Sequence, residues 1–97
     1  MFEIITPKTR RELDEYFYLR WYLLRKEWGG ERGSEMDEDE SISHHRSAVN
    51  ECGLAIGVGR IHFRQNLAQV RYMATSRKFR GIGVGSKILN ELEKVAL

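Results

Sequence analysis

The stretch that decides the fold is QVRYMATSRKFRGIGVGSK, residues 69–87. It begins as a strand-like segment and ends in three alternating glycines, Gly81, Gly83 and Gly85, directly before an apolar pattern that indicates a helix. Backbone N–H groups at a helix start have no partner within the helix, and the helix dipole adds positive charge there. Glycine lets a phosphate approach those groups closely. The stretch therefore predicts a strand, an anion-binding loop and a helix.

Two familiar phosphate-binding motifs do not fit this loop. A P-loop requires Gly-Lys-Ser/Thr, whereas here Ser86 precedes Lys87 and the glycine spacing differs. The dinucleotide fingerprint would need a glycine at position 86 and a parallel βαβ unit. The pattern Arg/Gln-x-x-Gly-x-Gly/Ala does match, at Arg80, Gly83 and Gly85. The loop thus resembles the acetyl-CoA-binding motif of the GNAT superfamily of N-acetyltransferases.

The rest of the chain supplies elements in the order typical of that family. Thr9 and Glu12 form a capping-box pattern, which marks a helix start. The predicted elements are a strand at 2–5, a helix after Thr9 that ends before Gly29, strands at 44–49, 54–63 and 67–75, and a helix at 86–97. The fold class is α/β (α+β), a GNAT-like mixed sheet with the order β-α-(acidic loop)-β-β-β-α, truncated before the fifth strand of the family.

Two further patterns predict how these elements pack. One face of the first helix is expected to enter the core, through Leu13, Tyr16, Phe17, Trp21 and Leu24. Gly57 and Gly59 lie inside the middle strand of the meander. Glycine in a strand interior indicates a bulge or a close approach of another backbone.

Length and composition limit the classes of protein to which the chain can belong. A chain of 97 residues with 41% hydrophobic residues suits one domain, 1–97, with a thin core. A charged fraction of 31% with 10% aromatic residues argues against a disordered chain. No apolar run approaches the roughly 20 residues of a membrane helix, and no signal-peptide pattern opens the chain. We expect a cytoplasmic protein without membrane association, and the single Cys52 agrees with a reducing compartment.

Charge is unevenly distributed along the chain. Residues 1–42 hold seven Lys/Arg and eleven Asp/Glu, whereas residues 43–97 hold nine and three. The acidic run at 35–40 suits a cationic partner and the basic residues near the glycine loop suit an anionic one. Those basic residues are Arg71, Arg77, Lys78 and Arg80. Nucleic-acid binding is not expected, because no recognised motif accompanies the basic residues.

The resemblance to GNAT enzymes implies acetyl-CoA as cosubstrate. In such a site the N–H groups of residues 81–86 hold the pyrophosphate, and residues 73–75 contact the pantetheine arm as an added strand would. The implied cofactor-binding residues are Met73, Ala74, Thr75, Arg80, Gly81, Ile82, Gly83, Val84, Gly85 and Ser86. The implied function is acetyl transfer to a primary amine of a small molecule or protein. A non-catalytic CoA-binding or protein-interaction module derived from the same fold is the alternative. Segments at Arg20–Trp21, Leu24–Arg25 and Gly33–Glu35 look most like bacterial members related to thioesterase-fused acetyltransferases.

The sequence leaves the catalytic residues unassigned. Glu35, Asp37 and Glu38 lie where they could reach an amine, although a charge run in a glycine-bearing loop is usually solvated. His44 and His45 are adjacent on a predicted strand, so at most one can enter a cleft. We expect Tyr72 to pack within its strand. No histidine or cysteine pair has a zinc-ligand spacing, so no metal is expected.

Oligomerisation is expected from the strand at 67–75. In the family a fifth strand diverges from the fourth, and the pantetheine arm lies between them. Without that neighbour the strand has an open apolar edge, which is prone to pair with another chain. We therefore expect a homo-oligomer formed through the edge of residues 67–75. The alternatives are a truncated chain whose remainder is absent and a CoA-binding remnant without catalysis.

Overall fold

A four-stranded antiparallel sheet with a helix on each face builds the protein, as described for residues 1–97 by a computed structural model. The strands lie in chain order across the sheet. The elements are β1 (Phe2–Ile5), α1 (Arg10–Leu24), β2 (His44–Asn50), β3 (Ala55–Arg64), β4 (Leu67–Thr75) and α2 (Val84–Ala96). This order confirms the predicted fold class, and α2 begins two residues earlier than predicted.

The start of α1 is fixed by the predicted capping box. The Glu12 N–H donates to the Thr9 hydroxyl at 3.1 Å, and the Thr9 N–H donates to the Glu12 carboxylate at 3.0 Å. Two N–H groups that a helix start leaves unpaired are thereby satisfied. The helix ends at Leu24, and after a short 3₁₀ turn the chain reverses at Gly29 with φ 76°.

The buried face of α1 differs from the predicted one. Tyr16 is buried as expected, but its buried neighbours are Leu19 and Arg20. A charged residue at an inward position interrupts the apolar spacing from which a helix face is predicted. The buried face of α1 is therefore rotated by about one residue from the face that the apolar spacing predicts.

Two apolar clusters lie on opposite faces of the sheet. Under α2 the cluster comprises Ala48, Ile56, Ile61, Val84, Ile88 and Leu92. Under α1 it comprises Tyr16, Leu19 and Val58. β3 contributes to both clusters. Val58 and Ile61 lie on opposite faces, as the alternation along a strand requires. Ile56 joins the cluster under α2 at the point where the pairing with β2 shifts register.

The glycines of β3 allow side chains of α2 to approach the sheet closely, and Gly59 lies at a bulge, as one of the two predicted causes requires. A Cβ atom at Gly57 would lie 2.6 Å from Val84 Cγ1, and one at Gly59 would lie 2.8 Å from Ile88 Cγ2. Real Cβ atoms do not come so near their neighbours, so larger residues would push the helix away.

A bulge interrupts the pairing of β3 with β4. Val58 pairs with Ala74 but Arg60 pairs with Arg71, so Gly59 faces both Tyr72 and Met73. Tyr72 has a left-handed backbone with φ 58°. The two strands are joined by a tight turn through Gln65 and Asn66, both also with positive φ. Neither helix has the length and apolar character needed to cross a bilayer.

Candidate functional site

The glycine loop presents a set of unpaired backbone donors. Gly81 and Gly83 have φ values of 86° and 90°, a left-handed conformation that glycine adopts without steric cost. None of the N–H groups of residues 81–86 donates to an acceptor in the protein, and α2 has no side-chain cap. The first intrahelical bond of α2 runs from the Lys87 N–H to the Gly83 carbonyl at 3.0 Å. These donors and the helix dipole make the loop a suitable anion site.

A groove made of two adjoining parts runs from β4 to this loop. One part, about 390 Å³, is lined by Leu23, Leu24, Met73, Ala74, Thr75, Arg80 and Gly85. The adjoining part, about 340 Å³, is lined by Thr75, Phe79, Arg80, Gly81, Gly83, Val84, Gly85 and Ser86. Thr75, Arg80 and Gly85 line both parts. Nine of the ten implied cofactor-binding residues thus line one groove, and Ile82, 58% exposed, lines neither part.

Two side chains fix the loop relative to the sheet. Arg80 donates from Nε to the Thr75 carbonyl at 3.1 Å, which ties the loop to the end of β4. Val84 is only 1% exposed and packs in the core under α2. The first helical residue is therefore anchored while its N–H group remains unpaired.

The surroundings of the groove are positively charged. Arg77, Lys78 and Arg80 are exposed, and the chain has no acidic residue between positions 65 and 90. A positive electrostatic field at an anion site raises the local concentration of an anionic ligand.

A second group of polar residues lies under α1 and was not predicted. Arg20 and Arg60 are both 0% exposed. Glu40 Oε2 accepts from Arg20 Nη1 at 2.7 Å and lies 2.9 Å from Arg60 Nη1. Arg60 also forms a bidentate pair with Asp37, at 2.7 and 2.8 Å. Two positive and two negative side chains therefore compensate each other in what we call the buried ionic cluster: Arg20, Asp37, Glu40 and Arg60.

The ionic cluster shifts the pKa values of its members. Hydrogen bonds from Arg60 hold the pKa of the Asp37 carboxyl well below its usual range, against the opposing effect of burial. Burial lowers the pKa of Arg60, but the paired carboxylates of Asp37 and Glu40 outweigh it and raise the value. Both groups are fully charged at neutral pH.

Tyr16 and His45 adjoin this cluster. His44 is exposed and His45 is half-buried, which confirms that the two histidines face opposite sides of β2. The Tyr16 hydroxyl donates to the Gly59 carbonyl at 2.9 Å and lies 2.8 Å from His45 Nδ1. Burial raises the pKa of Tyr16 to about 12 and lowers that of His45. Both side chains are therefore favoured in their neutral forms.

The acidic segment, residues 35–40, is bound to the rest of the fold by hydrogen bonds and ion pairs rather than solvated. Glu35 is 2% exposed and accepts from the Gly33 N–H at 2.8 Å. Asp37 pairs with Arg60, and Asp39 pairs with Arg64. Of the three carboxylates considered as possible bases, Glu38 alone is exposed. The sequence signal for this arrangement was Arg60, a charged residue inside a strand whose neighbouring residues 55–61 are otherwise apolar or glycine.

Comparison with known proteins identifies a family whose members resemble this chain. A family model described as "Acetyltransferase (GNAT) family" matches residues 2–97. The uncharacterized N-acetyltransferase YjcF of Bacillus subtilis (strain 168) is 28% identical over 92 residues, which cover 95% of this chain and 65% of YjcF.

Solved structures share the fold. A GNAT-family acetyltransferase of Staphylococcus aureus Mu50 superimposes with a TM-score of 0.81 at 16% identity, covering 99% of this chain and 66% of the other. Escherichia coli ElaA superimposes with a TM-score of 0.77 at 14% identity, covering 99% and 68%. The chain thus spans about two-thirds of the length of these relatives. Because the family model matches nearly the whole sequence, the chain belongs to the GNAT acetyltransferase family.

Proposed function

We propose that this protein transfers an acetyl group from acetyl-CoA to a primary amine of a small-molecule or protein acceptor. The observation that carries the proposal is the two-part groove that lies along the end of β4 and the unpaired N–H groups of residues 81–86. One end suits a pyrophosphate, and the other offers strand backbone to an extended amide chain such as pantetheine. Family membership over residues 2–97 supports an acyl-CoA as the donor.

The proposed reaction is a direct transfer. The neutral acceptor nitrogen attacks the thioester carbonyl, a C–N bond forms, the C–S bond breaks, and CoA leaves as its thiolate. The nitrogen releases one proton as it becomes an amide, and this proton balances the charge of the thiolate. The attacking amine must first lose a proton, because a lysine-like amine has a pKa near 10.4 and is mostly protonated at neutral pH. A backbone N–H of residues 73–75 would stabilise the oxyanion that forms on the carbonyl.

The same proposal extends to the setting of the protein. We place it in the cytoplasm, where acetyl-CoA is available and the exposed Cys52 stays reduced. We also propose self-association through the outer edge of β4, which pairs with β3 on its other side only.

A thermal-shift measurement with acetyl-CoA tests the binding step. Acetyl-CoA at about 100 times its Kd should raise the Tm by on the order of 10 °C. Ser86 lies exposed in the first turn of α2, so Ser86→Glu adds a negative charge where the helix dipole favours it. The variant should keep or raise the Tm without ligand but lose the shift, because its carboxylate repels the pyrophosphate.

Asn90→Glu is the matched control, since it adds the same charge to an exposed position further along α2. It should retain the shift. No shift with the unmodified protein at millimolar acetyl-CoA would contradict the proposal. Product formation on a panel of amines then distinguishes an enzyme from a non-catalytic binder, which would show the shift and no turnover.

A further inference from the structure

The backbone of Tyr72 is held in an unusual conformation within β4. Its φ of 58° is left-handed, and it lies where two residues of β4 face Gly59. A bulky residue rarely adopts this conformation, and it persists only where the surroundings impose it. The turn residues Gln65 and Asn66 have similar angles, but those are ordinary for a two-residue hairpin turn. Tyr72 is therefore the position in the sheet that requires an explanation.

The buried ionic cluster supplies the constraint. The guanidinium carbons of Arg20 and Arg60 lie 4.6 and 4.7 Å from the centroid of the Tyr72 ring. The Tyr72 hydroxyl donates to Asp37 Oδ2 at 3.2 Å. Buried cation–π contacts are stronger than exposed ones because both groups are desolvated. Three contacts thus hold one side chain on the α1 side of the sheet.

The arginines are themselves fixed. Both lie with one guanidinium nitrogen on Glu40 Oε2, and Arg60 is further held by the bidentate pair with Asp37. A planar guanidinium bound at two points has little freedom to rotate. The surface that Tyr72 contacts is therefore rigid, and it is assembled from α1, β3 and the acidic segment.

The bulge determines how the next residues of β4 are presented. Directly after Tyr72, Met73 packs against the cluster under α2 and Ala74 packs against the cluster under α1. A shift of one residue in the pairing of β4 with β3 would move each of these side chains to the other face of the sheet. It would also redirect the backbone groups of residues 73–75. These residues line the groove to which the proposed function assigns the pantetheine arm.

We infer that Tyr72 is a positioning residue: its contacts with Arg20, Arg60 and Asp37 hold the bulge that directs the backbone of residues 73–75 toward acyl-CoA. The inference rests on the proposed function. Residues of the acidic segment after α1 would thus affect the backbone geometry of residues 73–75 in β4. They would do so indirectly, because no side chain of the buried ionic cluster lines the groove.

The test compares Tyr72→Leu with Tyr72→Phe by titration calorimetry with acetyl-CoA and by steady-state kinetics. Leucine removes the ring, so affinity for acetyl-CoA should fall about tenfold or more, with a matching rise in KM. Phenylalanine keeps the ring over both guanidinium groups and should remain within about threefold of the unmodified protein. Tyr22→Leu is the control, because Tyr22 is a half-exposed tyrosine of α1 with a cation–π contact to Lys26.

The measurements are made well below the Tm of each variant, so that a loss of stability does not change the affinity. Unchanged affinity in Tyr72→Leu, with binding by the unmodified protein intact, would overturn the inference and leave the proposed function standing. Absence of binding by the unmodified protein would overturn both. If Tyr72→Leu does not fold, Arg60→Lys replaces it, since lysine keeps the charge but loses the planar group over the ring. That variant should weaken binding, and unchanged affinity would again overturn the inference.

Discussion

The carboxyl group of Asp37 makes the free energy of unfolding depend on pH in the acid range. Its pKa is held well below the usual value near 4, chiefly by hydrogen bonds from Arg60, with further bonds from the Asp39 N–H and the Tyr72 hydroxyl. A carboxyl with a lowered pKa in the folded state contributes stability above the unfolded pKa and loses it as pH falls through the folded pKa. This contribution should be complete at pH 7 and decline below about pH 4.

Asp37→Asn should therefore lower the free energy of unfolding by about 1.5–3 kcal/mol at pH 7, the range for a hydrogen bond to a charged group. Denaturant unfolding at a series of pH values measures the effect. The difference from the unmodified protein should narrow as pH falls below about 4, because there the Asp37 carboxyl gains a proton in the unfolded state while it stays ionised in the folded state. Glu38→Gln, an exposed neighbour, should cost little at any pH. A difference that stays constant down to pH 2 would show that Asp37 does not titrate in this way.

At the residue scale, the sequence predicted the glycine loop and missed the ionic cluster. Each glycine of the loop lies within a few positions of the helix it precedes, so local spacing was sufficient to predict a strand, a loop and a helix start with unpaired N–H groups. Arg20 and Arg60 are forty positions apart, and their burial depends on Asp37 and Glu40 from a third segment. No local pattern reports charge compensation between such distant residues. Tyr72 likewise gave no sign of its left-handed backbone.

At the element scale, the approach of α2 to β3 depends on glycine. A Cβ atom at Gly57 would lie 2.6 Å from Val84 Cγ1 and 2.9 Å from Ile88 Cδ1. Both methyl groups belong to branched side chains in the core, so they cannot move away freely. Gly57→Ala should lower the free energy of unfolding by about 1–3 kcal/mol, as measured by denaturant titration.

Gly85→Ala is the matched control for this substitution. A Cβ atom there would have Thr75 Oγ1 at 3.8 Å as its nearest neighbour, and the backbone is helical without a positive φ. Alanine should leave stability unchanged or raise it by up to about 1 kcal/mol. Equal effects at Gly57 and Gly85 would mean that close packing against α2 is not the reason for glycine in β3.

The elements themselves were predictable because their signals are local. The capping box set the start of α1, and short turns separated three extended segments with near-correct ends. The inward face of α1 was not predictable in full, since Arg20 occupies a position that the apolar pattern assigns to a hydrophobic residue. The register shift at Gly59 depends on the side chain of Tyr72 and its partners across the sheet.

At the scale of the whole molecule, a helix covers each face of the sheet, and the edge strands β1 and β4 each pair on one side only. The radius of gyration, 12.8 Å, is close to the value of about 12.5 Å expected for a compact domain of this length. The first five residues of β4 are exposed, including Leu67 at 68%, whereas the last four are partly buried beside the groove. The exposed part is available to another strand, and the part that would contact pantetheine lies beyond the bulge.

This division of β4 would separate the proposed self-association from the proposed cofactor binding. Two copies that pair antiparallel about Gln69 would place Leu67 of one opposite Arg71 of the other, so equal charges would not face each other. A charge on an edge strand opposes such pairing. Val70→Lys should therefore shift the protein toward the monomer at micromolar concentration, measured by native mass spectrometry and light scattering. It should also retain the acetyl-CoA thermal shift, because residues 73–75 and the glycine loop are unchanged.

Leu54→Lys makes the same change at an exposed apolar residue in the turn before β3 and should leave the association unchanged. A folded monomer of the unmodified protein at the same concentration would contradict pairing through β4. Loss of the thermal shift in Val70→Lys together with loss of association would indicate that the cofactor site needs the second copy. Because the bulge at Tyr72 lies between the two parts of β4, we expect the two properties to separate.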